Sequence, residues 1–190
     1  LHNPEKLAAL SDWFSQLETL APSEHQNHLL CGTTCSHAGE KHTVNAFTDA
    51  TKLWMKDGAL MKGENAWEID TGTGYLMLDT GKYYLSTDLT LTTSICIRGA
   101  NVTLCLNGKT IKYTGAKDYA ILVDWDNRTS KNSGHLTLTD CSGNNAGTIK
   151  GGSSEVVELQ ADSDLDMYGG TITGSRKGVD FSSEGTEFNM

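Results

Sequence analysis

The second half of the chain repeats a short β-rich unit, and this repeat constrains the fold more than any other feature. Three copies carry a Thr-Ile step, and their isoleucines, Ile111, Ile149 and Ile172, lie 38 and 23 residues apart. A fourth copy begins near the end, since Met190 follows Met167 by 23 residues. Units of about 20–50 residues that cannot bury their apolar side alone are typical of solenoids. We therefore predict a right-handed parallel β-helix of three to four coils.

Each coil is predicted to contain at least two strands. Residues 136–139 alternate Leu and Thr, which places the leucines on one face of a strand and the threonines on the other. Residues 120–123 and 156–159 are strand-like runs 36 residues apart, a step close to the longer repeat. Because the last copy stops partway, we expect further coils of the same β-helix in a longer protein.

Three segments follow from these patterns. Residues 1–22 are predicted to form an amphipathic helix that covers one end of the β-helix, with Asn3 as N-cap and Pro4 at the first helical position. Residues 23–45 are a polar segment rich in His and Cys. Residues 46–190 are predicted to form the β-helix, with a short helix from Ala46 to Met55 at its start.

Composition excludes several classes of protein. The formal net charge is −9, whereas nucleic-acid binding needs a basic footprint and an anionic membrane repels an acidic surface. No apolar run approaches the roughly 18 residues that span a bilayer. We expect neither a nucleic-acid partner nor membrane insertion by this segment.

Five candidate metal ligands lie within the polar segment: His28, Cys31, Cys35, His37 and His42. Zn²⁺ is bound tetrahedrally by four Cys or His ligands, and short loops between ligands keep the entropy of closure small. A structural zinc ion would hold together a segment that has few apolar residues of its own. Two alternatives stay open: a Cys31–Cys35 disulfide in an oxidising setting, or solvated histidines without a metal.

Other residues are ambiguous from sequence. Cys105 and Cys141 either are small buried side chains or form a bridge between adjacent coils. Trp54 and Trp67 are expected in the core of the first coil or cap, and Trp125 is expected to be exposed. Six aspartates suggest carboxylate pairs for sugar chemistry or Ca²⁺, but a solvated acidic wall is the favoured interpretation: Asp124, Asp126, Asp140, Asp162, Asp164 and Asp166.

Five motifs in order resemble a group of large surface proteins of Gram-positive, mainly gut, bacteria. They are HLLCGTTCSH from His28, GKYYLSTDLTL from Gly81, LCLNG from Leu104, LTLTDC from Leu136 and MYGGTITG from Met167. The resemblance implies a right-handed parallel β-helix that is exported and held at the cell surface or secreted. It implies no defined activity, and residues 1–27 are not part of it.

These observations predict a non-enzymatic extracellular module, an adhesin or stalk that binds a glycan or a host-surface ligand. The alternative is a carbohydrate-active enzyme of the polysaccharide lyase or glycoside hydrolase type, or a fragment of one, which rests on analogy of fold alone. A lyase would need basic residues beside its acids, and Lys109, Lys112, Lys150, Arg176 and Lys177 are available.

Overall fold

The computed structural model describes residues 34–37, 40–43, 49–124, 133–140, 142 and 145–190. Within these ranges the protein is mainly β, its main sheets are parallel, and there is no helix, so a mainly β fold is confirmed. No described segment is therefore a helix with the length and apolarity that a bilayer crossing requires. Several predictions fall outside these ranges: the helix over residues 1–22, the ligands His28 and Cys31, and Trp125, Asp126 and Cys141.

The first described strands are β1 (Thr34–His37) and β2 (Glu40–Thr43), which form an antiparallel hairpin. An antiparallel meander follows, made of β3 (Thr51–Lys56), β4 (Ala59–Lys62) and β5 (Asn65–Ala66). The helix predicted from Ala46 to Met55 is wrong where the structure describes it, because Thr51 onward is strand. Asp57 and Gly58 both have positive φ and turn β3 back into β4 as a tight hairpin, and β3 also pairs with a parallel strand.

The remaining strands follow one another in a fixed order through three sheets. After β6 (Leu76–Met77), the described strands form four circuits, each with one strand in every sheet. The strands in chain order are β7 (Gly81–Leu85), β8 (Leu89–Leu91), β9 (Ile95–Arg98), β10 (Asn101–Cys105), β11 (Thr110–Tyr113), β12 (Ile121–Asp124), β13 (His135–Thr139), β14 (Thr148–Gly151), β15 (Glu155–Leu159), β16 (Asp164–Met167), β17 (Thr171–Thr173), β18 (Lys177–Phe181) and β19 (Glu187–Asn189).

Successive circuits pair in parallel. The eight-stranded sheet has the order β19-β16-β13-β10-β7-β3-β4-β5, the four-stranded sheet β17-β14-β11-β8, and the five-stranded sheet β18-β15-β12-β9-β6. Ile111 pairs in register with Ile149, which pairs with Ile172, so the three Thr-Ile steps stand in one column as predicted. β19 adds the predicted fourth copy beside β16.

The core lies between the three sheets. Residues at alternate strand positions form apolar columns, of which Ile95, Ile121 and Val157 are fully buried members. The first circuit is covered by the meander, where Trp67 is 5% exposed and its indole N–H donates to the Met77 carbonyl. Trp67 is therefore a core residue as predicted, while Trp54 is half-buried.

Glycine is needed where circuits turn tightly against each other. Gly151 has a φ of +111°, and a Cβ at this position would lie 2.1 Å from the Tyr113 carbonyl oxygen of the preceding circuit. Both the left-handed conformation and the close approach exclude a larger residue. Glycine at this position therefore allows the backbones of neighbouring circuits to approach closely enough for their strands to pair in register.

Candidate functional site

The His/Cys segment contains the β1–β2 hairpin, which relates three of the five predicted ligands. Cys35 pairs with His42 and His37 pairs with Glu40 in the antiparallel register. Alternate residues of a strand and their cross-strand partners share a face, so Cys35, His37 and His42 occupy register positions on the same face of the hairpin. His28 and Cys31 lie outside the described residues, so the complete ligand set stays a prediction.

Where side chains are described, the structure contains no group of three or more His, Cys, Asp or Glu side chains arranged to hold a metal ion. Of the described aspartates that suggested a Ca²⁺ site, Asp124 and Asp140 have separate partners, Asp164 and Asp166 contact the same histidine, and Asp162 is exposed.

Asp140 is 5% exposed, which corrects the expectation that it belongs to a solvated wall. Its carboxylate accepts hydrogen bonds from the Gly108 N–H (2.8 Å), the Gly147 N–H (2.5 Å) and both the N–H (3.1 Å) and the hydroxyl (2.9 Å) of Ser142. Gly108 precedes the second strand of one circuit and Gly147 precedes the equivalent strand of the next. Asp140 is therefore a structural link between circuits, since its oxygens are used by backbone donors.

Asp124 forms an ion pair with Arg98, a residue of the preceding circuit. Arg98 Nε lies 3.0 Å from Asp124 Oδ2, and the two residues are register partners on β9 and β12. The pair is mostly covered, with side-chain exposures of 22% and 17%. This carboxylate therefore stabilises the contact between two circuits of the five-stranded sheet.

Asp164 and Asp166 flank a histidine on the outer face of the eight-stranded sheet. His135 Nδ1 contacts Asp164 Oδ1, and His135 Nε2 lies 3.6 Å from Asp166 Oδ2. The same Nε2 lies 3.1 Å from the Thr137 hydroxyl. Asp166 also accepts a hydrogen bond from Asn189 Nδ2 at 2.9 Å. Sequence reasoning missed His135, because its partners come from another circuit and only the register brings them together.

The His135 cluster has the order carboxylate, imidazole, hydroxyl that can activate a nucleophile. Such a site also needs donors for a developing oxyanion. β13 lies between β10 and β16, so its backbone N–H groups are used by the two parallel ladders. The cluster can hold and orient a proton at His135, but the strand that carries His135 and Thr137 offers no spare backbone donor.

A second cluster covers the outer face of the five-stranded sheet. Tyr75, Cys96 and Leu122 are buried there, with Met77 and Tyr119 packed against them. The hydroxyls of Tyr75 and Tyr119 are 2.7 Å apart, and the Lys117 ammonium lies 4.1 Å from the centroid of the Tyr75 ring. Burial raises the pKa of Cys96 to about 11, and burial together with the bond to Tyr75 raises the pKa of Tyr119. These groups are therefore protonated at neutral pH and stabilise the sheet.

The basic residues suggested for a lyase do not form one group. Lys112 and Lys150 are exposed register partners on the four-stranded sheet. Lys177 lies on the five-stranded sheet, where it pairs with Asp180 at 2.6 Å, and Arg176 contacts the Ser154 hydroxyl at 3.4 Å. Of these, the two lysines that stand side by side are the distinctive feature.

Comparison with known proteins places no constraint on this arrangement. No protein-family model matches the sequence, and no curated protein or solved structure shows significant similarity to it.

Proposed function

We propose that this chain is a non-enzymatic module of a bacterial cell-surface or secreted protein, folded as a right-handed parallel β-helix that acts as a stiff stalk or adhesin segment. The in-register columns of four successive circuits support the β-helix, because a solenoid buries each unit against its neighbours. The five motifs of the resemblance support export and the bacterial surface.

The observation that carries the non-enzymatic assignment is that charged side chains form contacts between neighbouring circuits. Asp140 accepts four hydrogen bonds, and the Arg98–Asp124 pair connects two circuits. A catalytic acid or base must be free to exchange a proton with a substrate. Side chains that link one circuit to the next make the stack of circuits stiff, and a stalk or adhesin needs this stiffness.

Polysaccharide turnover is the test of this assignment. The purified chain is incubated with uronic-acid polymers and with neutral polysaccharides, with and without Ca²⁺, and reducing ends and unsaturated products are measured. We expect no product above that of a heat-inactivated sample. Turnover that scales with protein concentration would contradict the proposal.

The second candidate is a carbohydrate-active enzyme, and the His135 cluster is the observation that favours it. His135 lies between two carboxylates, and one of them is positioned to orient the imidazole. If turnover occurs, His135→Ala abolishes it, whereas Lys177→Gln on another sheet leaves it unchanged. Turnover that survives His135→Ala would exclude this cluster as the active site.

We also propose that the His/Cys segment binds one structural Zn²⁺ ion. Four of the five candidates, His28, Cys31, Cys35, His37 and His42, would be its ligands. The hairpin register, which places Cys35, His37 and His42 on one face, supports this assignment. The ion would connect the two strands of a hairpin too short to be stable alone.

A further inference from the structure

The outer face of the four-stranded sheet differs in charge from the rest of the protein. Its strands read LTL, TIKY, TIKG and TIT, so they contain no acidic residue although the chain carries a net charge of −9. The described acids on strands lie on other sheets, as with Glu158 and Asp180 on the five-stranded sheet and Asp164 and Asp166 on the eight-stranded sheet. One face of an acidic protein is therefore basic.

Two rows of polar residues cross this face along the direction in which the circuits stack. One row is Thr90, Lys112, Lys150 and Thr173, all exposed and in register. The other row contains Thr110, Thr148 and Thr171. Asp88 stands at the edge of the second row, and its carboxylate accepts the Thr110 N–H at 2.8 Å. We call the two rows the threonine–lysine face.

Lys112 and Lys150 are placed at a cost to the folded chain. Neighbouring strands lie about 4.8 Å apart, and like charges directly opposite each other destabilise a sheet. Within the described ranges neither ammonium is in an ion pair, whereas Lys52, Lys62 and Lys177 each contact a carboxylate. An anion that contacts both ammonium groups would remove the repulsion and gain charge-assisted hydrogen bonds.

We propose that the threonine–lysine face binds a linear polysaccharide whose sugars carry carboxylates, that is, a uronic-acid polymer lying along the stacking direction. The lysine pair contacts carboxylates, and the threonine hydroxyls, which both donate and accept, contact sugar hydroxyls. A row of residues in register across four strands suits an extended chain rather than a compact ligand. Nucleic acid does not fit, because its affinity depends on many phosphate contacts and this face offers two cations in an acidic protein.

This inference rests on the glycan-binding part of the proposed function and names its ligand class. The test is binding of the 190-residue chain to polygalacturonate, measured by calorimetry at low and high salt. The variant Lys112→Gln/Lys150→Gln is compared with Lys56→Gln/Lys177→Gln, a pair of exposed lysines on other sheets whose replacement changes the net charge equally. Thermal unfolding of both variants verifies that the fold is retained.

We expect the Lys112/Lys150 variant to bind about tenfold more weakly and the control variant to bind like the wild type, with affinity falling as salt is added. Four results would overturn the inference: no binding by the wild type, undiminished binding by the Lys112/Lys150 variant, equal loss in both variants, or equal binding to neutral dextran or to polyglutamate. None of them would by itself contradict the non-enzymatic assignment, which fails only if polysaccharide is turned over.

Discussion

The carboxylate of Asp140 accepts the backbone N–H of Gly108 at 2.8 Å, across 32 residues of sequence. Asp140 directly follows the first strand of one circuit, and Gly108 lies in the turn after the first strand of the circuit before it. The same carboxylate accepts the Gly147 N–H in its own circuit. One buried side chain therefore organises the corresponding turns of two neighbouring circuits.

Replacement of Asp140 by Ala is expected to lower the free energy of unfolding by about 3 kcal/mol. The loss arises because the Gly108 and Gly147 N–H groups and Ser142 would lose a buried acceptor, and each unsatisfied buried group costs about 1–3 kcal/mol. Asp79→Ala is the matched control, since Asp79 is exposed and pairs only loosely with Lys62 at 3.6 Å. Urea unfolding of both variants measures the difference, and equal stability of the two would contradict the role of Asp140.

The stability of the protein is expected to fall at alkaline pH through Cys96. The thiol has an ordinary pKa of 9.0, and burial raises this pKa to about 11 in the folded chain. Between these values the unfolded chain has lost the proton that the folded chain keeps, so the free energy of unfolding decreases as pH rises. The contribution of this thiol to the free energy of unfolding is fully present below about pH 9 and is lost as pH rises through about 11.

Urea unfolding between pH 8 and pH 11 checks this expectation in Cys96→Ala and in Leu122→Val, a control in the same apolar cluster. Both variants lose packing, but only Cys96→Ala is expected to have a shallower dependence on pH. The dependence will not vanish, because Tyr119 also has a raised pKa from burial and its bond to Tyr75. Identical slopes in the wild type and Cys96→Ala would contradict the assignment to Cys96.

The proposed zinc ion predicts about one Zn²⁺ per chain by elemental analysis and five titratable thiols after unfolding in chelator. Cys35→Ser is expected to weaken zinc binding strongly, because a thiolate ligand is lost. His135→Gln is the control, since it removes a histidine outside the predicted ligand set. Absence of zinc together with only three titratable thiols would favour one disulfide instead, either Cys31–Cys35 or Cys105–Cys141.

The repeats were predictable because their physical cause is local. The spacing of Ile111, Ile149 and Ile172 fixes which residues stand above one another once strands pair in parallel. The alternation at Leu136 and Leu138 likewise predicted two residues that are fully buried. Patterns of this kind are visible in the sequence because every strand needs apolar residues at the positions that face the core.

The β3–β4 hairpin and the contacts of Asp140 and His135 were not predicted, for different physical reasons. The helix predicted up to Met55 overlooked Asp57-Gly58, a pair that strongly favours a hairpin turn, so this error was avoidable. The burial of Asp140 and the contact of His135 with Asp164 were not predictable, since both depend on residues from neighbouring circuits. Register, rather than composition, turns these exposed-looking polar residues into structural contacts.

Cross-linking of paired cysteines tests whether successive circuits stack in register. Thr110→Cys/Thr148→Cys places two thiols on register partners of adjacent strands, about 4.8 Å apart. Thr110→Cys/Thr173→Cys places them two strands apart and out of register. A short bifunctional thiol reagent such as dibromobimane, followed by peptide mapping against the wild-type background, should link the first pair within one chain and leave the second unlinked. Efficient linkage of the second pair, or failure of the first in a folded variant, would contradict the stacked arrangement.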